Sequence, residues 1–189
     1  MPMTGLHRRH CMALLAAGAL LAAVPAVRAK SDLVAPPELA AELPGANLRG
    51  AGAMRFLGMR IYEARLWATA AITGDGASQP LALELVYARN IKGDLIVSSS
   101  LREMQRVGNF SEAQSARWSQ AMAPLFPNIK VGDRITGIQR PGQSARFYLN
   151  GTLRGEVADA EFTRLFFGIW LSPRTSDPQL RQQLLSGTH

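Results

Sequence analysis

The chain has 189 residues, 47% hydrophobic and 19% charged, an ordinary globular profile. Its net charge is +7, and beyond the first ten residues it has no basic run or aromatic stacking motif, which argues against nucleic acid as a partner. The single cysteine is Cys11 and the histidines are His7, His10 and His189, so the body of the chain has no disulfide, thiol nucleophile or imidazole. That rules out Ser-His-Asp and Cys-His mechanisms, argues against a zinc site and leaves haem only methionine or tyrosine. No metal and no cofactor are expected, and any chemistry falls to Arg, Lys, Tyr, Ser, Thr or carboxylates.

The first 29 residues have the form of a secretory signal. His7-Arg8-Arg9-His10 is a basic start, an apolar run follows from Met12 to Ala26, and Val27-Arg28-Ala29 places the cut before Lys30. The run is shorter than the roughly 20 residues of a spanning helix, so no stable membrane insertion is expected after cleavage. The expected location is the periplasm, and Arg8-Arg9 leaves both Sec and twin-arginine export open. Three of the 21 Lys and Arg leave with the signal, so 18 remain against 14 acids, a net charge of +4. The remainder suits one domain.

Residues 30–47 carry Pro36, Pro37 and Pro44 and read as an extended approach segment, with room for one edge strand. The domain proper spans 48–187. Leu48 to Thr69 opens on Gly50 and Gly52, runs as a strand, breaks at Gly58 and runs again. In the second run Arg60, Tyr62, Ala64 and Leu66 share one face, and Ile61, Glu63, Arg65 and Trp67 the other. A face mixing arginine and tyrosine with apolar residues can floor a ligand pocket or be an ordinary amphipathic strand. Leu81 to Ala88 alternates as a strand. Asp94 is placed as the N-cap of a helix over Leu95 to Val107, with Val97, Leu101 and Met104 inward and Gly108 as its stop; Ser98, Ser99 and Ser100 read as helix surface.

Ser111 and Gln114 form a capping-box pattern for a second helix, with Trp118, Ala121, Met122 and Leu125 on its apolar side. Three short strands follow, Arg134 to Gln139, Ala145 to Leu149 and Leu153 to Val157, joined through Pro141-Gly142 and Asn150-Gly151. Asp159 caps a helix whose Phe162, Leu165, Phe166, Ile169 and Trp170 read as core. Asp177-Pro178 begins a last helix bearing Leu180, Leu184 and Leu185. Strands, two helices, strands, two helices, without strand–helix–strand repetition, predict an α+β fold with a mainly antiparallel sheet covered by helices. There is no internal repeat and no phosphate-binding glycine loop.

The succession of G-x-G and a basic strand, IYEARLW, LELVYAR, a helix pair, GDRITG, NGTLRGEVADAEFTRLFFGIWLSP and a leucine-rich helix, from Leu48 to Gly187, resembles the bacterial chalcone isomerase-like family. The resemblance implies an open-faced β-sandwich, a large antiparallel sheet with helices layered on one side. In the plant enzymes of this family an arginine after the first glycines steadies the flavonoid oxygen, aided by a strand threonine and a tyrosine. A helix serine or threonine grips the far ring. Arg55 matches the arginine, one residue further from the glycines; Tyr62 falls at the strand threonine; Thr163 matches the helix position; the loop after Tyr87 offers no tyrosine. The remaining pieces resemble non-catalytic relatives that hold fatty acids in the same cleft. The resemblance therefore implies ligand contact by Arg55, Tyr62 and Thr163 without catalytic residues. The expected protein is an exported monomer that binds a small apolar or amphipathic carboxylate such as a fatty acid. An intramolecular lyase acting on a flavonoid-like compound and an envelope protein-interaction domain are the alternatives.

Overall fold

Six strands and five helices make up the described residues, 34–187, of the computed structural model. The elements are α1 (Leu39–Glu42), β1 (Asn47–Phe56), β2 (Met59–Ala68), β3 (Leu81–Tyr87), α2 (Gly93–Val107), α3 (Glu112–Met122), β4 (Arg134–Arg140), β5 (Ser144–Leu149), β6 (Thr152–Val157), α4 (Ala160–Leu171) and α5 (Pro178–Leu185). The signal expected over residues 1–29 lies outside the described residues. The strands form one sheet in the order β1-β2-β3-β4-β5-β6, every neighbouring pair antiparallel. The α+β arrangement expected from the element order, and the open-faced antiparallel sheet that the resemblance implies, are the observed ones.

Strand alternation divides the sheet into two unlike faces. One carries Leu66, Leu83, Leu85, Tyr87, Ile135 and Phe147, all buried in the core beneath α2 and α4. The other carries Arg65, Glu84, Thr136 and Tyr148, in line across four strands by register, with Arg146 on the same face beside Ile138. Here Glu84 is 2% exposed and accepts from Trp67 Nε1 at 3.0 Å and Arg65 Nη1 at 3.5 Å, yet burial still pushes its carboxyl above the usual carboxylate range. The segment expected to be extended instead forms the short helix α1. Its Glu38 accepts from Arg134 at 3.2 Å, and Glu42 accepts from Arg140, Arg146 and the Tyr148 hydroxyl. Buried carboxylates with distant arginine partners hold this turn on the sheet, and proline content in the sequence does not reveal them.

Two hairpins use the same tight turn. Asn150-Gly151 and Leu57-Gly58 both have positive φ at both central residues, the type I′ pattern. Gly50 and Gly52 serve close packing: a Cβ on Gly50 would lie 2.3 Å from the Gln183 carbonyl oxygen, and one on Gly52 would lie 2.7 Å from Leu180 Cδ1. Bare backbone is what lets α5 settle on β1. The capping box at Ser111 and Gln114 forms, as do the Asp159 and Asp177 caps.

The start of α2 differs from expectation. Its N-cap is Lys92, with no side-chain bond, and Asp94 lies inside the first turn, accepting only from Leu95 N–H at 2.8 Å. The Gly93 N–H is satisfied instead by Asn128 Oδ1 at 3.1 Å, from a residue 35 positions away. A side chain at Gly93 would meet the Phe126 carbonyl oxygen at 2.0 Å, so the helix starts where the chain fits against its neighbour.

Candidate functional site

Between the β1–β3 side of the sheet and helices α2, α4 and α5 lies a cavity of about 580 Å³, within the range of small-molecule pockets. The sheet supplies Met54, Ile61, Tyr62, Leu85 and Tyr87, α4 supplies Phe166, Ile169 and Trp170, and α5 supplies Leu180. A bulge helps to shape it. The β1–β2 register passes from Met54↔Tyr62 to Arg55↔Arg60, leaving Ile61 as the extra residue. Consecutive residues Ile61 and Tyr62 therefore both line the cavity, which a regular strand would not permit.

On α2, Ser99 and Ser100 line the wall. Ser100 is 8% exposed and follows Val97 by three positions, so it belongs to the inward stripe rather than the surface expected of it. A small side chain in an otherwise large apolar stripe leaves space. That spacing was readable in the sequence.

The polar equipment is sparse. Tyr62 and Tyr87 are directly opposite on β2 and β3, their rings edge-on with centroids 5.7 Å apart. Trp170 Nε1 donates to the Tyr62 hydroxyl at 2.9 Å. Burial pushes both phenols well above their ordinary range, so both stay protonated. Neither hydroxyl proton has an acceptor among the described residues, and two neutral O–H donors remain for a guest. The exposed lining residues, Phe56, Arg89, Asn90, Leu95, Arg102 and Ser176, mark the rim. Two carboxylates also line it, each engaged: Glu103 with Arg106 at 3.4 Å, and Asp177 accepting from Leu180 N–H at 2.9 Å. No group of three or more His, Cys, Asp or Glu placed to hold a metal occurs among the described residues. A shallower depression of about 550 Å³ lies over Leu101, Arg102, Phe110 and Ser115 and holds no comparable polar arrangement.

The three residues singled out by resemblance are not brought together. Tyr62 is in the wall. Arg55 is exposed on the hairpin, its guanidinium 3.5 Å from the Gly58 carbonyl oxygen, and is not part of the lining. Alternation from Met54 already directs it to the opposite side. Thr163 is buried in the first turn of α4, where its hydroxyl donates to the Asp159 carbonyl at 2.8 Å. Tyr87, Ser100 and Trp170, part of the cavity wall, were not singled out. Trp170 reads as core from its helical spacing, and it is core on one side and wall on the other.

Comparison with known proteins bears on the same span. The chalcone isomerase-like family matches residues 36–186. An uncharacterized protein of Haemophilus influenzae is 29% identical over 110 residues, 58% of this chain and 54% of its own length, so the chain spans about half of that relative. The crystal structure of an Arabidopsis thaliana fatty-acid binding protein is similar with a TM-score of 0.60 at 14% identity, over 75% of this chain and 87% of that one.

Proposed function

The chain belongs to the chalcone isomerase-like family, and from that premise we propose that it binds one small apolar or amphipathic ligand, a fatty acid in the first instance, without turning it over. The observation that carries the reading is the cavity of about 580 Å³, apolar in its depth and with arginines only at its rim. An ionised carboxylate is costly to bury away from a cation, so the acyl tail lies inward beneath α4 and the head stays near Arg89 and Arg102. The two inner phenols suit a ligand with a further oxygen along its chain. The similar Arabidopsis structure is that of a fatty-acid binding protein, which supports the same class of guest. Arg55 and Thr163 stand away from the cavity wall, which favours binding over lyase chemistry.

Titration with a series of saturated fatty acids tests this. Affinity rises by about 0.8 kcal/mol per added methylene, roughly fourfold, until the cavity is filled. R89Q with R102Q weakens the acid by roughly two- to fivefold, as exposed charges do, and leaves the corresponding alcohol unaffected. Native mass spectrometry of freshly purified protein shows added mass of an acyl ligand. Absence of saturable binding across the series refutes the reading, and loss of a chalcone's visible absorbance on incubation would establish the lyase instead. We also propose that residues 1–29 direct export to the periplasm; the basic start and apolar run support it, and an intact N terminus on protein recovered from the cell envelope would count against it.

A further inference from the structure

The tip of the β1–β2 hairpin runs against its local preference. The β5–β6 turn fills the two positive-φ positions with Asn150 and Gly151, the residues such turns favour. The β1–β2 turn puts Leu57 there, at φ 49, with Gly58 at φ 78. A branched apolar side chain rarely adopts that left-handed conformation. Leu57 gains no burial in exchange. It is 83% exposed, and its neighbours Phe56 and Met59 are 58% and 43% exposed. Leu95, at the start of α2, is 54% exposed, and both it and Phe56 line the cavity. An apolar crest therefore runs continuously into the cavity mouth.

Cations surround that crest. Arg55 and Arg60 face each other directly across β1 and β2, where like charges repel. Just beyond the end of β3, Arg89 lines the cavity mouth together with Phe56 of the hairpin. Among the described residues none of these three arginines pairs with a carboxylate. The nearby acids are engaged: Glu63 accepts from Arg65 at 3.0 Å, Glu103 pairs with Arg106, and Asp94 accepts from the Leu95 N–H. An exposed apolar tip ringed by unpaired cations is complementary to a surface that is anionic outside and apolar just beneath.

We propose that this crest docks the protein on an anionic lipid bilayer. Leu57 and Met59 enter the boundary between headgroups and acyl chains, Arg55, Arg60 and Arg89 meet headgroup phosphates, and the cavity mouth opens onto the acyl layer. The attachment is peripheral, since no helix among the described residues is long and apolar enough to cross a membrane. It goes beyond ligand binding and does not depend on which molecule fills the cavity.

Flotation with vesicles of equimolar phosphatidylglycerol and phosphatidylcholine, against vesicles of phosphatidylcholine alone, tests the proposal. The wild-type chain binds the anionic vesicles at least about tenfold better, and rising salt erodes the preference. The double variant L57N/M59S loses about tenfold in vesicle binding. Its thermal unfolding is unchanged or improved, because Asn suits the turn position. R60E loses the preference for anionic lipid. None of these three residues lines the cavity, so acyl-ligand binding in solution stays at the wild-type level, and a chain that bound no acyl ligand would still dock. All the proteins share residues 1–33, so any lipid affinity there is common to the set. Equal flotation of L57N/M59S and wild type overturns the proposal, as does indifference of the wild type to anionic lipid. A variant whose only loss is concentration-dependent self-association assigns the crest to a second copy and overturns it too.

Discussion

The apolar layer beneath α4 is solid at one end and hollow at the other. Toward β5, Phe147 packs edge-on against Phe126 and Phe166 with both centroid distances at 5.0 Å, and Phe162 stacks on Phe166 at 5.4 Å. Phe147 and Phe162 are 1% and 0% exposed. Toward the β1–β2 hairpin the same helix presents Ile169 and Trp170 to open space, because α2 answers with Ser99 and Ser100 and a bulge turns Ile61 inward. Two regions under one helix, both rich in apolar residues, thus differ in what stands opposite. Hydrophobicity places a layer indoors; the sizes of the facing side chains decide whether it closes.

Substitution at the solid end breaks this contrast most severely. F147A removes a ring with no room to collapse and costs about 3–5 kcal/mol in denaturant unfolding. A cost near 1 kcal/mol would mean that the solid end is loosely packed after all.

The outer face supplies the next effect. Although burial works against its charge, bonds from Tyr148 and Arg140 and the nearby Arg146 hold the Glu42 carboxyl below the usual carboxylate range. A lowered folded-state value stabilises the fold above the ordinary glutamate range, and that stabilisation is lost as pH falls through the folded value. E42Q therefore costs about 1–3 kcal/mol at neutral pH, less than a fully buried pair because Arg140 and Arg146 are partly exposed. The gap between variant and wild type narrows on acidification; a gap that is constant in pH would remove the carboxylate from the account.

At the hollow end S100L is gentler. In a filled core, overpacking costs roughly 1–3 kcal/mol. Here the added side chain enters existing space, so stability changes by less than about 1 kcal/mol while acyl binding is lost. Destabilisation as large as that of a filled core would show that the hollow closes in solution. The smallest effect belongs to Y87F. The hydroxyl has no partner among the described residues, so its removal leaves stability within about 0.5 kcal/mol and weakens only ligands that offer it an oxygen; a larger loss would reveal a hidden partner.

Much of the fold was legible because its signals are local. Asn150-Gly151, the Ser111 and Gln114 box and the Asp159 and Asp177 caps each act within a few residues, and each stands where its residues point. The α2 cap was misplaced because its partner, Asn128, comes from beyond α3. The candidate site was legible only in part. Alternation put Tyr62 on a face that could floor a pocket or be an ordinary strand, and the resemblance singled it out. Tyr87 needed the β2–β3 register, and Trp170 needed knowledge of where packing stops.

Residue order alone determined the six strands, the four longer helices and, apart from Ile61 at the bulge and Ser100, which face of each turns inward, since periods of two and near four are properties of a single segment. It also determined that the domain, residues 48–187, carries no thiol and no imidazole. Tertiary structure alone decided that Arg89 stands at the cavity rim, that Ile61 joins Tyr62 in the wall, and that the space opposite Ser100 stays open. Those outcomes depend on a bulge, a cross-strand register and the approach of α2 to the sheet, and each joins residues that have no influence on one another until the chain has folded.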